Sequence, residues 1–205
     1  MQYLVWEADP AGLLARLRRF LDIAATHGIS TMFTLFDDCA FSGKQPYLGP
    51  QDAPTHGVHN SGWTPSPGHK RVVDRDAWPS LEQYVTSVVG EFRDDARVIA
   101  WDLYNEPGNA GMGSTSDALV AASFDWARAA DQTQPLTVGV WTAELPQLNE
   151  LARRESDVVS FHNYGDVASL RAQIDELAEQ ERPLLCTEWM RRPISLYASH
   201  LPILK

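Results

Sequence analysis

Two glutamates stand directly after apolar segments that have the length and composition of β-strands. Glu106 closely follows residues 97–104, and Glu188 directly follows residues 183–187. One strand-end glutamate is as often a helix cap as a functional group, but two beside aromatic and amide side chains favour function. Paired carboxylates suit cleavage of a glycosidic bond, because one donates a proton to the leaving oxygen while the other attacks or stabilises the oxocarbenium-like centre.

The positions of these glutamates are set by predicted apolar strands that alternate along the chain with predicted amphipathic helices. The predicted strands occupy residues 3–6, 31–36, 97–104, 135–141, 157–161 and 183–187. The predicted helices occupy residues 10–27, 79–92, 116–130, 145–154, 167–180 and 195–204. Such an alternation indicates a parallel sheet covered by helices, built here from about six βα units.

Two architectures fit this pattern, a doubly wound open sheet and a (β/α)₈ TIM barrel. The glycine-rich phosphate turn of dinucleotide-binding sheets follows none of the predicted strands. Polar and ionisable residues instead follow the strands, at the rim where a barrel places its catalytic groups. The sequence therefore predicts an α/β protein with one TIM-barrel domain over residues 1–205.

Composition narrows the classes of partner. The 205 residues are 44% apolar and carry a net charge of −10, which excludes a disordered chain and disfavours nucleic-acid binding. The apolar runs are too short to cross a membrane. Cys39 and Cys186 are predicted to be buried thiols rather than a disulfide. Residues 1–7 lack the features of a signal peptide, which indicates a cytoplasmic protein only if Met1 is the true start, so the localisation is left unknown.

Aromatic and acidic side chains near the strand ends are candidates for binding sugars. Trp63, Trp141 and Trp189 are candidate platforms, because an indole face packs against the C–H face of a pyranose. Asp37 and Asp38 end a strand and are predicted to bind sugar hydroxyls or the loop that follows.

That loop, residues 39–76, shows no periodicity and has a length typical of functional loops. Its His56 and His59 lack a recognised zinc spacing, so neither a metal nor another cofactor is expected. Arg191 and Arg192, which follow the second glutamate, are predicted to be solvated surface rather than an anion site.

The chain resembles clan A of the glycoside hydrolases, and within it the family 5-like, cellulase-type group. The resemblance rests on the catalytic segments and on motifs at other strand ends: Asn105-Glu106-Pro107, Glu188, Leu35-Phe36-Asp37-Asp38-Cys39, His59-Asn60-Ser61-Gly62-Trp63 and Phe161-His162-Asn163-Tyr164-Gly165-Asp166. It implies a retaining glycosidase whose carbohydrate substrate is a β-linked oligo- or polysaccharide.

The resemblance also implies a role for each matching residue. Glu106 would be the general acid/base and Glu188 the nucleophile, while Asn105 would bind the substrate 2-hydroxyl. Tyr164, together with His162, would orient Glu188 and hold it ionised. A charged Glu188 would in turn be expected to keep Glu106 protonated until the glycosyl-enzyme forms.

The chain departs from the family pattern in its length and at two positions. No arginine matches that of the second barrel strand, and no tryptophan matches that of the eighth. A complete barrel takes about 250 residues, so the first βα unit and the eighth strand are predicted to be missing, and the chain to be a fragment. Open strand edges would then favour self-association. Alternatives to hydrolysis are a non-catalytic carbohydrate-binding or scaffold remnant, and transglycosylation.

Overall fold

The computed structural model describes residues 1–204, which form parallel strands separated by helices. The strands are β1 (Thr31–Asp37), β2 (Val98–Asn105), β3 (Leu136–Thr137), β4 (Val159–Asn163) and β5 (Leu184–Trp189). The helices are α1 (Tyr3–Ala8), α2 (Pro10–Thr26), α3 (His69–Val73), α4 (Trp78–Glu91), α5 (Asp117–Ala129), α6 (Pro146–Glu155), α7 (Val167–Ala178) and α8 (Tyr197–His200). Short 3₁₀ helices span Arg75–Ala77 and Gly113–Ser116.

The order of the strands in space follows their order in the chain. β1 pairs with β2, β2 with β3, and β4 with β5, all in parallel. A bridge between Val140 and Phe161 joins the two groups of strands, with backbone hydrogen bonds from Val140 to Ser160 and from His162 to Val140. A doubly wound sheet reverses its strand order at a switch point, whereas a barrel adds each strand beside the last. The sequential order is that of a TIM barrel.

The predicted strand at residues 3–6 is wrong, because these residues begin helix α1. The rings of Tyr3 and Trp6, three residues apart, share one helical face and both lie 5.6 Å from the ring of Tyr84. A four-residue apolar run fits a strand and a helix equally well, and here packing against α4 decides between them. Residues 1–204 therefore contain five strands rather than six.

Two other predicted elements are shorter than expected. The strand predicted over residues 135–141 is regular only at Leu136–Thr137 and then reaches β4 through the single bridge at Val140. The helix predicted over residues 195–204 is limited to Tyr197–His200. The remaining predicted elements lie within about two residues of the observed ones, which is the usual uncertainty of element ends.

The core lies between the sheet and the helices that cover it. Helices α4 and α5 each bury one apolar stripe, while Trp101 and Leu103 of β2 are fully buried beneath them. Burying one such large side chain contributes roughly 1.5–3 kcal/mol. β2 is thus anchored in the core, and Glu106 directly follows its last residue.

Residues 39–76 run across the carboxyl ends of the strands, as the sequence predicts for a functional loop. Asp37 and Ser66 exchange two backbone hydrogen bonds of 2.8 Å, which tie this segment to the end of β1. None of the helices formed by residues 1–204 combines the length and the hydropathy needed to cross a bilayer.

Candidate active site

Glu106 lies at the first turn after β2, where its backbone takes a positive φ of 42°. This conformation is uncommon for a residue with a side chain and is often found at functional sites. The carboxylate is buried and accepts hydrogen bonds from the Cys39 thiol at 3.1 Å and from Nδ2 of Asn109 at 2.6 Å. Its other oxygen, Oε1, lies 2.7 Å from Nδ1 of His162.

These contacts reverse the expected protonation of Glu106. Burial raises the pKa of the carboxyl, but the hydrogen bonds from His162, Cys39 and Asn109, together with the charge of His162, outweigh burial and hold the pKa below its ordinary value of 4.5. The expectation that Glu188 keeps Glu106 protonated is therefore not met. The geometry favours a Glu106 carboxylate beside a protonated imidazole.

His162 is the penultimate residue of β4, and its imidazole lies between the two glutamates. Its Nδ1 contacts Glu106, and its Nε2 lies 3.7 Å from Oε1 of Glu188. Burial lowers the pKa of this imidazole, but the hydrogen bond that it donates to Glu106 and the charges of Glu188, Glu106 and Asp102 raise the pKa above the ordinary value. Gly139 leaves room for the ring, since a Cβ there would lie 3.2 Å from Nε2.

Glu188 is the more accessible of the two glutamates, with 41% of its side chain exposed. It is the penultimate residue of β5, and its Oε2 accepts a hydrogen bond from the Tyr164 hydroxyl. Burial, this hydrogen bond and the charge of Glu188 raise the pKa of Tyr164. Tyr164 therefore stays a hydroxyl donor at ordinary pH and fixes the direction of the Glu188 carboxylate.

The two carboxylates face each other at short range. One oxygen of Glu106, one oxygen of Glu188 and one nitrogen of His162 all lie within 4.8 Å of one another. Carboxyl groups about 5–5.5 Å apart are typical of glycosidases that retain anomeric configuration, whereas inverting enzymes need roughly 6.5–9.5 Å to admit a water molecule. The two carboxylates therefore lie close enough to reach the same bond.

A cavity of about 600 Å³ opens above the pair. It is lined by both glutamates and by residues from the long loop and the strand ends: Cys39, Phe41, His59, Asn60, Trp63, Asn105, Glu106, Tyr164, Glu188, Met190, Arg191 and Arg192. The volume lies in the range of small-molecule sites, and Trp63 supplies an exposed aromatic face. Of the predicted site residues, the fold thus gathers Glu106, Glu188, Asn105, Tyr164 and Trp63 around one space.

Asp37 and Asp38 lie beneath the cavity rather than on its wall. Asp37 accepts hydrogen bonds from Nε1 of Trp63 at 2.9 Å and from the backbone of Cys39 at 2.6 Å, so it anchors the start of the loop and its aromatic side chain. Asp38 is fully buried. Its oxygens accept hydrogen bonds from Tyr104, Gly108 and Ser116. Of the two roles predicted for these carboxylates, the contacts fit that of holding the loops.

Trp141 and Trp189 do not line the cavity above the glutamates. Trp141 donates through Nε1 to the carbonyl of Pro107 at 2.9 Å and borders a neighbouring cavity of about 520 Å³, which it shares with His162 and Tyr164. Trp189 stacks on the His200 ring at 5.9 Å and supports the chain that follows β5. Trp141 remains a candidate platform for a more distant part of a substrate, whereas the ring of Trp189 packs against those of His200 and Tyr197.

Sequence reasoning missed several residues that contact or surround Glu106. Cys39 and Asn109 are hydrogen-bond donors to its carboxylate, and neither belongs to a motif that signals this contact. The only available signal was their position in the chain, since Cys39 lies two residues beyond the end of β1 and Asn109 lies four residues beyond the end of β2. Cys39 was expected to be buried, which is confirmed, and burial together with the nearby carboxylates raises the pKa of its thiol.

A cation could be held only by the two glutamates and His162 among residues 1–204, since these are the residues whose ligand atoms converge. Nδ1 of His162 is already engaged by Glu106, and Oε2 of Glu188 by Tyr164. Hydrogen bonds to neighbouring side chains therefore account for the positions of the two glutamates and His162.

Comparison with known proteins identifies the family. The sequence model of the cellulase family (glycosyl hydrolase family 5) matches residues 53–192, which is more than half of the chain and includes both glutamates. The chain belongs to glycosyl hydrolase family 5. This family match confirms the resemblance seen in the sequence and makes the chain a member of the glycosidases. No curated protein matches the chain significantly by sequence.

Several solved structures share part of the family 5 chain's fold. The β-D-glucuronidase of Dictyoglomus thermophilum is 19% identical with a TM-score of 0.48. The match covers 60% of this chain and 22% of the glucuronidase chain. The β-glucuronidase of Bifidobacterium dentium is 18% identical with a TM-score of 0.47, covering 58% and 21% respectively. A family 10 endo-β-1,4-xylanase from Gloeophyllum trabeum is 18% identical with a TM-score of 0.47, covering 62% and 48%. The chain thus spans about a fifth of the first two proteins and about half of the third.

Proposed function

We propose that this protein is a retaining glycoside hydrolase that cleaves a β-linked oligo- or polysaccharide, with Glu188 as nucleophile and Glu106 as general acid/base. The observation that carries the proposal is the approach of the two carboxylates, whose nearest oxygens lie within 4.8 Å on the rim of the parallel strands. Family membership supports the same chemistry.

In the first step, Glu188 attacks the anomeric carbon while the leaving oxygen receives a proton. The lowered pKa of Glu106 and the raised pKa of His162 place that proton on the imidazole before substrate binds. Transfer from Nδ1 to Oε1 spans only 2.7 Å. Substrate expels water from the cavity and strengthens the desolvation of Glu106, which favours its protonated form at the moment of bond cleavage.

In the second step, water hydrolyses the covalent glycosyl-enzyme. Esterification removes the negative charge of Glu188, which lies 3.7 Å from the His162 imidazole. Glu106 then ionises more readily and accepts a proton from the attacking water. Asn105, beside Glu106 on the cavity wall, is assigned to the 2-hydroxyl, and Trp63 to a sugar face. A sugar alcohol in place of water would give transglycosylation from the same intermediate.

Replacement of the nucleophile tests this assignment. Glu188→Ala is expected to lower turnover of a dinitrophenyl β-glycoside by several orders of magnitude, and added azide to restore part of it by attacking the anomeric carbon from the vacated side. The azide product should have inverted configuration, which NMR reads directly. Glu150→Ala, on the exposed face of α6, is the matched control. Full activity of Glu188→Ala would contradict the proposal.

We also propose that residues 1–205 form one incomplete barrel domain. The sequence predicts that the first βα unit and the eighth strand are missing, and because residues 3–6 are helical, the five observed strands leave one further strand of the barrel without a counterpart. The partial exposure of Leu184, Leu185 and Cys186 in β5 supports this, because β2, which is paired on both sides, is largely buried. An uncovered apolar strand favours self-association. Light scattering over a range of protein concentrations should then reveal a concentration-dependent oligomer, and a monomer at all concentrations would contradict it.

A non-catalytic carbohydrate-binding or scaffold protein is the second candidate, favoured by the same exposure of β5. It predicts that sugars quench the fluorescence of Trp63 without any hydrolysis. Turnover that disappears in both Glu106→Ala and Glu188→Ala would eliminate it.

A further inference from the structure

Two arginines share the cavity with the catalytic pair. Arg191 and Arg192 follow Glu188 by a few residues and line the same 600 Å³ space. Several other arginines of the chain are paired with carboxylates, such as Arg97 with Asp95 at 2.6 Å and Arg128 with Glu155 at 2.7 Å, while Arg182 donates to the carbonyl of Ser156 at 2.6 Å. Within residues 1–204, neither cavity arginine forms an ion pair. Both arginines thus line this cavity without an acidic partner among residues 1–204.

The backbone after β5 holds these arginines in place. Met190 takes a φ of 90°, a conformation that non-glycine residues rarely adopt, and this turns the chain toward the cavity directly after the strand. The next residue is fixed by a turn, because the backbone of Ser195 donates to the carbonyl of Arg191 at 2.9 Å and the buried Ser195 hydroxyl accepts from the Arg191 backbone. The turn from Arg191 to Ser195 is therefore ordered, and the chain enters it through the positive φ of Met190. A solvent-exposed surface segment needs neither feature.

The negative charge of the chain and of the cavity indicates what the two arginines could bind. The chain carries a net charge of −10, and the cavity holds Glu106 and Glu188, so an anionic substrate would be repelled without local positive charge. A guanidinium group binds a carboxylate or sulfate through two parallel hydrogen bonds, which gives both affinity and orientation. A neutral sugar would leave both groups without a charged partner.

We propose that the cavity selects a glycoside whose sugar carries an anionic group close to the scissile bond, and that Arg191 and Arg192 bind this group. This inference rests on the proposed glycosidase function and adds the chemical class of its substrate. The anionic group is either the carboxylate of a uronic acid or a sulfate ester, since the same guanidinium geometry fits both.

Matched substrates test the inference. p-Nitrophenyl β-glucuronide and the β-glucoside sulfated on its primary hydroxyl are compared with the neutral β-glucoside. We expect at least one anionic substrate to have a kcat/KM about 10- to 100-fold above that of the glucoside, the ratio expected for a hydrogen-bonded charge. The double variant Arg191→Gln/Arg192→Gln should lose this preference, so that its ratio of kcat/KM for the anionic substrate to kcat/KM for the glucoside falls by the same 10- to 100-fold. Arg154→Gln, an exposed arginine outside the cavity, should change neither rate.

A binding measurement separates this inference from the proposed function. Calorimetry with Glu188→Gln measures the affinity for free glucuronate, glucose sulfate and glucose, and does not require turnover. Arginine-dependent binding of an anionic sugar without hydrolysis of any glycoside would support the inference while the proposed function fails. Hydrolysis of the glucoside with no preference for either anion, or a preference that survives the double variant, would overturn the inference while the proposed function stands.

Discussion

Nδ1 of His162 lies 2.7 Å from Oε1 of Glu106, and both side chains are buried. This contact joins the end of β4 to the end of β2 and lowers the pKa of Glu106 while it raises that of His162. In the proposed mechanism, the proton needed for acid catalysis is therefore held on the imidazole, one hydrogen bond away from Glu106. The same proposal makes His162 part of the acid/base unit as well as a neighbour of Glu188.

The charge on His162 is predicted to stabilise the fold in a defined pH window. The pKa of Glu106 lies below its ordinary 4.5, so its contribution is complete above pH 4.5 and is lost as the pH falls through the folded-state pKa. The pKa of His162 lies above its ordinary 6.5, so its contribution is complete below pH 6.5 and is lost as the pH rises through the raised pKa. Both contributions are complete between pH 4.5 and 6.5.

His162→Gln keeps a side-chain donor without the charge and should cost about 1–3 kcal/mol in that window, with a smaller cost at higher and lower pH. Chemical denaturation across the pH range measures this cost. Glu106→Gln should show the same window, and the double variant should cost less than the sum of the two. A pH-independent cost would show that His162 is neutral in the folded protein.

Glu106→Gln should affect glycosides according to their leaving groups. A dinitrophenolate leaves without a proton, so its release should fall only slightly, whereas an alkyl or sugar leaving group needs the acid and should react about 10²–10⁴-fold more slowly. Values of kcat/KM over a series of aryl glycosides report the first step and give its slope against leaving-group pKa, and this slope should steepen in the variant. An equal loss of kcat/KM for all leaving groups would assign Glu106 a structural role.

Asp38 is predicted to stabilise the loop that carries Glu106. Its buried oxygens accept hydrogen bonds from Tyr104, Gly108 and Ser116. Asp38→Asn places an amide donor against one of these donors, which should lower the free energy of unfolding by about 1–3 kcal/mol. Urea denaturation measures the effect, and Asp125→Asn on the exposed face of α5 is the control. A stability equal to that of the control would mean that the carboxylate's second oxygen is dispensable.

The order of elements could be predicted from the sequence because the apolar periodicities of strands and helices differ. Residues 10–27 and 31–36 lie close to α2 and β1 as observed. Residues 3–6 could not be assigned, since four apolar residues fit either period and only the contact of Tyr3 with Tyr84 decides. The polar strand ends placed Glu106 and Glu188 correctly on one rim, because parallel strands end at the same edge of the sheet.

What the sequence determined by itself is therefore the αβ alternation, the family and the two glutamates at strand ends, all of which depend on local pattern. Only the tertiary structure decided which groups surround them. Cys39, His162 and Asn109 meet at Glu106 from three separate segments, and Asp38 turns inward while Arg191 lines the cavity. Protonation and charge depend on distances of a few ångströms between such segments, because electrostatic interactions weaken with separation and strengthen with burial. Spacing along the chain carries no information about those distances.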